Sequence, residues 1–193
     1  MATPELVRGE DGRRRCGWGT STPDYVDYHD HEWGRPVTGD TAVLERICLE
    51  GFQSGLSWLT ILRKRDNFRT AFRGFDPATV AAFGRRDVTR LLGDAGIVRH
   101  RGKIEATIGN ACAVVAMHEA GESFSDFVWS FAPTGRRKAP RTWADIAAKT
   151  AESTALSKAL LARGFRFVGP TTMYAAMQAM GVVNDHFAGC HAR

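Results

Sequence analysis

Apolar side chains recur every three or four residues along most of this chain, and that spacing favours amphipathic helices over strands. Polar capping residues stand where several of these helices would begin. The predicted helix starts are Asp40 or Thr41, Ser57, Asp76 followed by Pro77, a site near His100, Ser153 or Thr154, and Thr171. Alternating β-branched segments are nearly absent, so we predict an all-α fold.

The length and composition fit one domain with a core. The chain has 193 residues, of which 44% are hydrophobic and 24% are charged. We predict a single helical domain over residues 15–193, preceded by a flexible basic arm over residues 1–14. Prolines and basic residues interrupt the helical pattern at 133–148, which is either a phosphate-contacting loop or a solvated connector.

The charge and the distribution of apolar residues indicate a partner and a compartment. A net charge of +5 favours a polyanionic partner without requiring one. The first ten residues hold no apolar run of the kind found in export signals. The longest apolar stretch, 111–117, is far below the roughly 20 residues that a membrane span needs. We therefore expect a soluble, cytoplasmic monomer with no membrane partner.

Glu50 is the only charged side chain between residues 47 and 62. Burying an ionised carboxylate without a partner is costly. Glu50 is therefore either a structural group, which caps buried backbone or pairs with an arginine, or it faces a cavity where a ligand supplies the partner.

Aromatic residues accompany this acid in the sequence. Trp58 follows Glu50 closely, and the N-terminal segment adds four more rings, namely Trp18, Tyr25, Tyr28 and Trp33. Flat rings around one acid suit a cationic heteroaromatic ligand, through stacking, cation–π attraction and a hydrogen bond. The same rings would serve equally well as plain core.

The four cysteines fall into two groups, and no disulfide is expected because nothing indicates an oxidising compartment. Cys48 and Cys112 lie in apolar helical stretches and are predicted to be small core residues. The second group combines two cysteines with two histidines near the chain ends: Cys16, His29, His186 and Cys190. Two sulfurs and two nitrogens suit a closed, structural zinc site. The alternatives are ordinary thiols with surface histidines, and His31 or His191 as competing ligands.

Taken together, these segments resemble the DNA-3-methyladenine glycosylase I family from about Arg15 to Cys190. The segments are Arg-Cys-Gly-Trp at 15–18, Tyr-His-Asp-His-Glu-Trp-Gly at 28–34, Ile-Cys-Leu-Glu-Gly-Phe-Gln-Ser-Gly-Leu-Ser-Trp at 47–58, Asp-Ala-Gly-Ile-Val-Arg-His-Arg-Gly-Lys-Ile at 94–104, Asp-Phe-Val-Trp-Ser-Phe at 126–131, Arg-Gly-Phe-Arg-Phe-Val-Gly-Pro-Thr-Thr at 163–172 and Val-Asn-Asp-His at 183–186. Their order and spacing make the resemblance specific.

The resemblance implies a helix-hairpin-helix DNA glycosylase fold, whose hairpin presents backbone N–H groups to a DNA phosphate. The residues expected there are Gly164, Gly169 and Thr171. It also implies that Cys16, His29, His186 and Cys190 hold one structural zinc ion, which joins the N- and C-terminal segments. The residues expected to shape the base pocket are Glu50, Trp18, Tyr28 and Trp58, to which we add Tyr25 and Gln53. Phe52 departs from the family pattern and could alter the pocket.

The implied activity is hydrolysis of the N-glycosidic bond of 3-methyladenine in alkylated double-stranded DNA, a step of base-excision repair. The base must first flip out of the duplex, and the Gly55–Leu56 turn either fills the gap or belongs to the core. Methylation at N3 makes adenine cationic, so the leaving group needs no protonation, and Glu50 is the expected catalytic residue.

Two further residues bear on the implied mechanism. Asp185 either stabilises the sugar cation or supports the metal site. No lysine stands out as a Schiff-base nucleophile, and Lys103 is expected to be structural or to contact a phosphate. We therefore predict a monofunctional enzyme without strand cleavage.

Two other classes of protein share part of this pattern. A zinc-stabilised DNA-binding module would keep the basic loop and the hairpin, but it would have no need for a lone acid among aromatic rings. A zinc hydrolase would need an open metal position, which four protein ligands do not leave.

Overall fold

The structure is a computed structural model that describes residues 3–135 and 137–193. Within these residues it contains nine α-helices, three short 3-10 turns and two short strands. The helices are α1 (Pro23–His31), α2 (Asp40–Gln53), α3 (Trp58–Ala71), α4 (Pro77–Ala81), α5 (Arg85–Gly93), α6 (Arg101–Glu119), α7 (Phe124–Trp129), α8 (Ala151–Ala162) and α9 (Pro170–Ala179), and the strands are β1 (Leu6–Arg8) and β2 (Arg14–Cys16).

Side-chain caps fix several helix starts where the sequence predicts them. The Ser57 hydroxyl accepts from the Thr60 N–H at 3.2 Å, and the Asp76 carboxylate accepts from the Thr79 N–H at 2.9 Å. His100 caps α6 in the same way, which confirms the long helix predicted there. The start of α8 differs from the prediction, because Thr150 provides its cap and the helix begins at Ala151.

Asp40 has a different role from the predicted cap of its own helix. Its carboxylate accepts from the backbone N–H groups of Phe124 and Ser125, at 3.2 and 2.7 Å. These groups belong to the first turn of α7, so the acid satisfies α7 while α2 begins after Gly39 without a side-chain cap. A long-range contact has thus replaced a local one.

Helix α2 is the central element of the fold. It contacts α3, α6, α7 and α9, and it is buried on nearly every side from its first turn onward. Its fully buried residues include Leu44, Ile47, Leu49 and Phe52. Because α2 is enclosed all round, a charged residue in its last turns has no route to bulk water except through a cavity.

The N-terminal residues differ from the predicted flexible arm. Strands β1 and β2 pair antiparallel, with Leu6 opposite Cys16 and Arg8 opposite Arg14, so the predicted boundary between residues 14 and 15 falls inside β2. The guanidinium of Arg15 bridges Asp11 and Asp30, and it thereby ties this hairpin to α1. Asp30 belongs to a different element from Arg15, so local sequence patterns do not predict this contact. The fold is mostly helical with one small sheet.

The two cysteines that the sequence predicts to be core residues lie in different environments. Cys48 is buried, as predicted, whereas Cys112 is exposed on α6, so the predicted core position of Cys112 is wrong.

Phe52 packs against Phe68 and Phe72, with ring centroids 4.6 and 5.9 Å away. It lies about 200° around the helix from Glu50, and therefore belongs to the core and not to the pocket. No helix in the described ranges is long and apolar enough to cross a bilayer.

Lys103 satisfies the C-terminal end of α2. The buried ammonium donates to the carbonyl oxygens of Phe52 and Ser54, at 2.9 and 2.6 Å. These carbonyls have no partner within their own helix, so the lysine replaces a helix cap. Lys103 is therefore structural, one of the two roles expected from the sequence.

We predict that Lys103→Met lowers the free energy of unfolding by about 1–3 kcal/mol, because two carbonyls at the end of α2 lose their donor. Urea unfolding would measure the change. Lys64→Met is the matched control, since Lys64 also donates to two carbonyls, those of Ala95 and Gly96, but at a more exposed site where water can replace it. Equal losses in the two variants would contradict the structural role of Lys103.

Candidate functional site: an acid in an aromatic pocket beside a Cys/His cluster

A cavity of about 220 Å³ lies between the N-terminal segment, the end of α2 and helix α9. It is smaller than the roughly 300–1,000 Å³ of pockets for drug-sized ligands, and therefore suits a small flat ligand. Its lining is mostly aromatic with one acid and two amides: Trp18, Tyr25, Tyr28, Trp33, Glu50, Gln53, Trp58, Trp143, Ile146, Ala175 and Gln178. All six residues that the sequence suggests for a base pocket line this one cavity.

Glu50 is buried and has no hydrogen-bond or salt-bridge partner among residues 3–135 and 137–193. Arg46 lies one helical turn before it and would be its natural partner. Instead, the Arg46 guanidinium donates to Glu32 at 2.7 Å. Glu32 also accepts two hydrogen bonds from Arg65, so a three-residue cluster holds Arg46. The arginine-locked carboxylate that the structural interpretation required is therefore absent from the described residues.

Burial decides the protonation of Glu50. Desolvation raises the pKa of its carboxyl to about 8, against an opposing effect of the Arg46 charge. Burial, and secondarily the Glu50 charge, also raises the pKa values of Tyr25 and Tyr28. A positive charge entering this pocket would therefore meet an acid that has no competing cation in contact with it.

The aromatic rings hold one another in place. Trp18 contacts Tyr25 and Trp33 edge to face, with centroids 5.3 and 4.9 Å apart, and Tyr28 lies 5.4 Å from Trp58. The Trp58 indole N–H is buried without a partner in the described ranges. Unpaired buried donors are costly, which favours a site that a ligand completes over a plain core.

Four lining residues escape sequence reasoning. Trp143 and Ile146 come from the 133–148 stretch, and Ala175 and Gln178 come from α9. Of these four, Trp143 could have been noticed in the sequence, because it is an aromatic residue in an otherwise polar stretch. The other three reach the pocket only because α9 packs against α2 and the loop folds back over it.

Three of the five predicted DNA-contacting residues, Gly55, Leu56 and Thr171, lie next to this pocket. A second cavity of about 270 Å³ is lined by Gly55, Leu56, Thr171 and Thr172, and it shares Glu50 and Gln53 with the first. Leu56 is 43% exposed, so the core alternative for this residue is wrong. Gly55 has a φ of +84°, which favours glycine and turns the chain sharply there.

Helices α8 and α9 pack against each other and are joined by the glycine-containing loop where the sequence predicts a hairpin. Gly164 ends α8 at a φ of +86°, and α9 begins after Gly169 with no side chain capping its first N–H groups. Phe167 in the connecting loop lies against Gly51 of α2, where an added Cβ would come within 3.2 Å of the Phe167 Cβ. The glycine thus lets the hairpin approach the end of α2.

Cys16, His29, His186 and Cys190 form a buried cluster whose ligand atoms all lie within 4.8 Å of one another. In a tetrahedral zinc site with Zn–S of about 2.3 Å and Zn–N of about 2.0 Å, sulfur and nitrogen ligands lie roughly 3.5 Å apart. Cys190 Sγ lies 3.4 Å from His29 Nε2 and 3.6 Å from His186 Nδ1, and Cys16 Sγ also lies 3.6 Å from His186 Nδ1.

The second nitrogen of each histidine is occupied elsewhere. His29 Nδ1 lies 2.8 Å from the Asp30 carboxylate, and His186 Nε2 lies 3.0 Å from the Trp33 carbonyl oxygen. Because both partners only accept, these nitrogens carry the protons. The other nitrogen of His186 faces both sulfurs, and that of His29 faces Cys190 Sγ and also accepts from the Cys16 backbone N–H at 3.2 Å. The donor set therefore fits a tetrahedral metal ion.

The competing candidates lie outside this cluster. His31 is exposed and pairs with Asp27, while His191 lies 2.9 Å from the Asp30 carboxylate. Asp185 is adjacent to His186 in sequence, but its carboxylate accepts from Tyr174 and Gln178. The Asp30 carboxylate and the Trp33 carbonyl oxygen orient the two cluster histidines. Support of the metal site was one of the two roles expected for Asp185.

Comparison with known proteins agrees with this arrangement. A family model described as methyladenine glycosylase matches residues 18–193. DNA-3-methyladenine glycosylase 1 of Escherichia coli is 54% identical over 177 residues, which cover 91% of this chain and 95% of that protein. DNA-3-methyladenine glycosylase of Haemophilus influenzae is 46% identical over 179 residues, covering 91% and 96% respectively.

Solved structures agree in fold as well as sequence. A crystal structure of 3-methyladenine DNA glycosylase I superposes with a TM-score of 0.88 at 52% identity, covering 92% of this chain and 98% of that one. A structure of 3-methyladenine DNA glycosylase I from Staphylococcus aureus gives 0.86 at 37% identity, covering 92% and 95%. The chain therefore belongs to the methyladenine glycosylase family of enzymes.

Proposed function

We propose that this enzyme hydrolyses the N-glycosidic bond of 3-methyladenine in alkylated double-stranded DNA and so begins base-excision repair. The printed names of its relatives support the lesion and the nucleic acid. The observation that carries the proposal is the buried, partnerless Glu50 in a ring-lined cavity. A DNA-binding module without chemistry would have no use for such a group.

The pocket suits a cationic purine. Methylation at N3 places a positive charge on the adenine ring while it is still bonded to the sugar. Trp18, Tyr28 and Trp58 supply faces and edges for stacking and cation–π attraction, and Tyr25 and Gln53 complete the walls. Glu50 accepts a hydrogen bond from the base, and the charge of the ligand allows the carboxyl to ionise.

The chemistry requires charge stabilisation more than proton transfer. The bond between the sugar carbon and the base nitrogen breaks with its electron pair moving to the base, which leaves as a neutral molecule. The sugar carries the developing positive charge until a water molecule adds and loses a proton. Glu50 fixes the base in the orientation for departure, and it is the catalytic residue of the proposal.

A base inside a duplex must rotate out to reach the cavity, at a cost of a few kcal/mol that is lower for a damaged base. The exposed Leu56 at the Gly55 turn would occupy the vacated space, which its exposure beside the pocket supports. The proposed hairpin of Gly164, Gly169 and Thr171 would bind a phosphate through backbone N–H groups, which the absence of a side-chain cap on α9 supports. We infer a helix-hairpin-helix arrangement on this basis.

We propose that the Cys/His cluster holds one zinc ion as a structural element. Four protein ligands leave no open position, so the ion would cross-link the chain ends and supply no reactive water. We also propose that the enzyme is monofunctional, since Lys103 is committed to the end of α2 and is not free to form a Schiff base.

We expect Glu50→Gln to slow release of 3-methyladenine from methylated duplex DNA by roughly 10²–10³-fold, the usual cost of removing one preorganised electrostatic contact. Chromatography of the released bases would measure the rate. Glu45→Gln is the matched control, because Glu45 lies on the same helix but pairs with Arg69 away from the pocket. Retained activity in Glu50→Gln would end the assigned role of this residue.

The raised pKa of Glu50 has a consequence for stability. Its ordinary value is 4.5 and its folded value is about 8, so the folded state holds the proton more tightly than the unfolded state does. Folding is therefore opposed progressively as pH rises from about 4.5 to about 8. Glu50→Gln should gain stability over the unmodified protein across that window, by at most about 1.4 kcal/mol per pH unit.

Denaturant unfolding at pH 5, 6.5 and 8 would measure this difference, and metal-ligand protonation would cancel between the two proteins. A stability difference that does not change with pH would contradict the raised pKa.

Purified protein should contain about one zinc ion per chain, as elemental mass spectrometry would show. Cys190→Ser should lose most of the zinc and lower Tm by on the order of 10 °C, because the ends of the chain are no longer cross-linked. Cys112→Ser is the control, since this exposed thiol lies outside the cluster. Full zinc content in Cys190→Ser would contradict the assigned ligand set.

A further inference from the structure

A hydrogen bond to a residue outside the base pocket fixes the orientation of the Gln178 side-chain amide. Gln178 of α9 lines the cavity together with Glu50. Its side-chain Nε2 donates to the carboxylate of Asp185 at 2.9 Å. Because a carboxylate only accepts, the amide cannot reverse without losing this hydrogen bond. Its Oε1 is therefore held on the side away from Asp185.

Asp185 is itself held firmly. It is only 4% exposed, and the oxygen that receives Gln178 also accepts from the Tyr174 hydroxyl. The Arg137 guanidinium lies 3.4 Å from the other oxygen and donates to the Tyr174 hydroxyl at 3.1 Å. Two donors on one oxygen and a guanidinium charge beside the other keep Asp185 an acceptor, and they leave it no role as a free group beside the sugar.

The other amide of the pocket is not constrained in this way. Within the described ranges, the Gln53 side chain makes no hydrogen bond, so it can present either its donor or its acceptor to a ligand. Gln178 differs because its hydrogen-bonding polarity is set before a ligand arrives. A preset acceptor discriminates between ligands, whereas a freely rotating amide adapts to them.

We propose that Asp185 is a positioning residue that fixes Gln178 as a hydrogen-bond acceptor, and that Gln178 selects methylated purines with an amino group over those with a carbonyl at the same edge. This inference rests on the proposed function and names its basis of selectivity. Adenine carries an amino donor at C6, where guanine carries a carbonyl acceptor. A methylated guanine would therefore place its oxygen against the Oε1 of Gln178.

The test uses one duplex DNA preparation that carries both 3-methyladenine and 3-methylguanine. The two bases released by the full-length protein are separated by chromatography, and their initial rates are compared as a ratio. Asp185→Asn allows the Gln178 amide to reverse, and Gln178→Leu removes the acceptor. Each variant should lower the ratio of the 3-methyladenine release rate to the 3-methylguanine release rate by about tenfold, which corresponds to the loss of one hydrogen bond.

The readouts separate the inference from alternatives. A purely structural role would slow both releases equally and leave the ratio unchanged, and that result in Gln178→Leu would overturn the proposal. Zinc content and Tm are measured in parallel, because Asp185 adjoins His186; should Asp185→Asn lose its fold, Gln178→Leu decides alone. Absence of 3-methyladenine release from the unmodified protein would overturn the proposed function instead, which keeps the two failures distinct.

Discussion

The site depends on a carboxylate that the fold buries and leaves without a partner. Glu50 lies in the last turns of α2, which neighbouring helices enclose, so desolvation raises its pKa to about 8. An ordinary protein would relieve this cost with the arginine one turn away. Here Glu32, which also accepts from Arg65, holds that arginine, and the acid remains available to a ligand. The free-energy cost of this arrangement is offset elsewhere in the core, as is usual for functional sites.

Two residues that line the pocket also contact the histidines of the Cys/His cluster. Trp18 follows Cys16 by two residues, and its ring lies 5.4 Å from that of His29. The carbonyl oxygen of Trp33, another pocket residue, accepts from His186. Joining the two chain ends therefore sets two aromatic walls of the cavity as well as the closure of the fold. Loss of the cluster would therefore alter the pocket, although none of the four cluster residues lines it.

The sequence predicts what depends on local spacing or on a specific set of residue types. Caps at Ser57 and Asp76, the helix from His100 and the hairpin glycines all follow from neighbouring residues. For the acid, its rings and the four cluster residues, the residue types alone leave structural alternatives open, and the family resemblance implies their roles. The sequence does not predict features made by distant partners. Arg15 pairs with Asp30 from another element, and Gln178 enters the pocket only because α9 packs on α2. Phe52 could have been assigned correctly from the sequence. A helical wheel places Phe52 on the side of the helix opposite Glu50, whereas Gln53 lies on the same side as Glu50.

Under the proposed function, selectivity for a charged base would follow from the state of the protein before binding. With an uncharged purine in the cavity, Glu50 must either stay protonated or ionise without a partner in a desolvated site. Neither state gives a neutral ligand the attraction that a cation gains from the ionised acid and the surrounding rings. Under the proposed function, the enzyme would discriminate through the unpaired acid of its pocket, and the damaged base would supply the missing positive charge. Because the same charge weakens the bond to the sugar, recognition and reactivity select the same molecule.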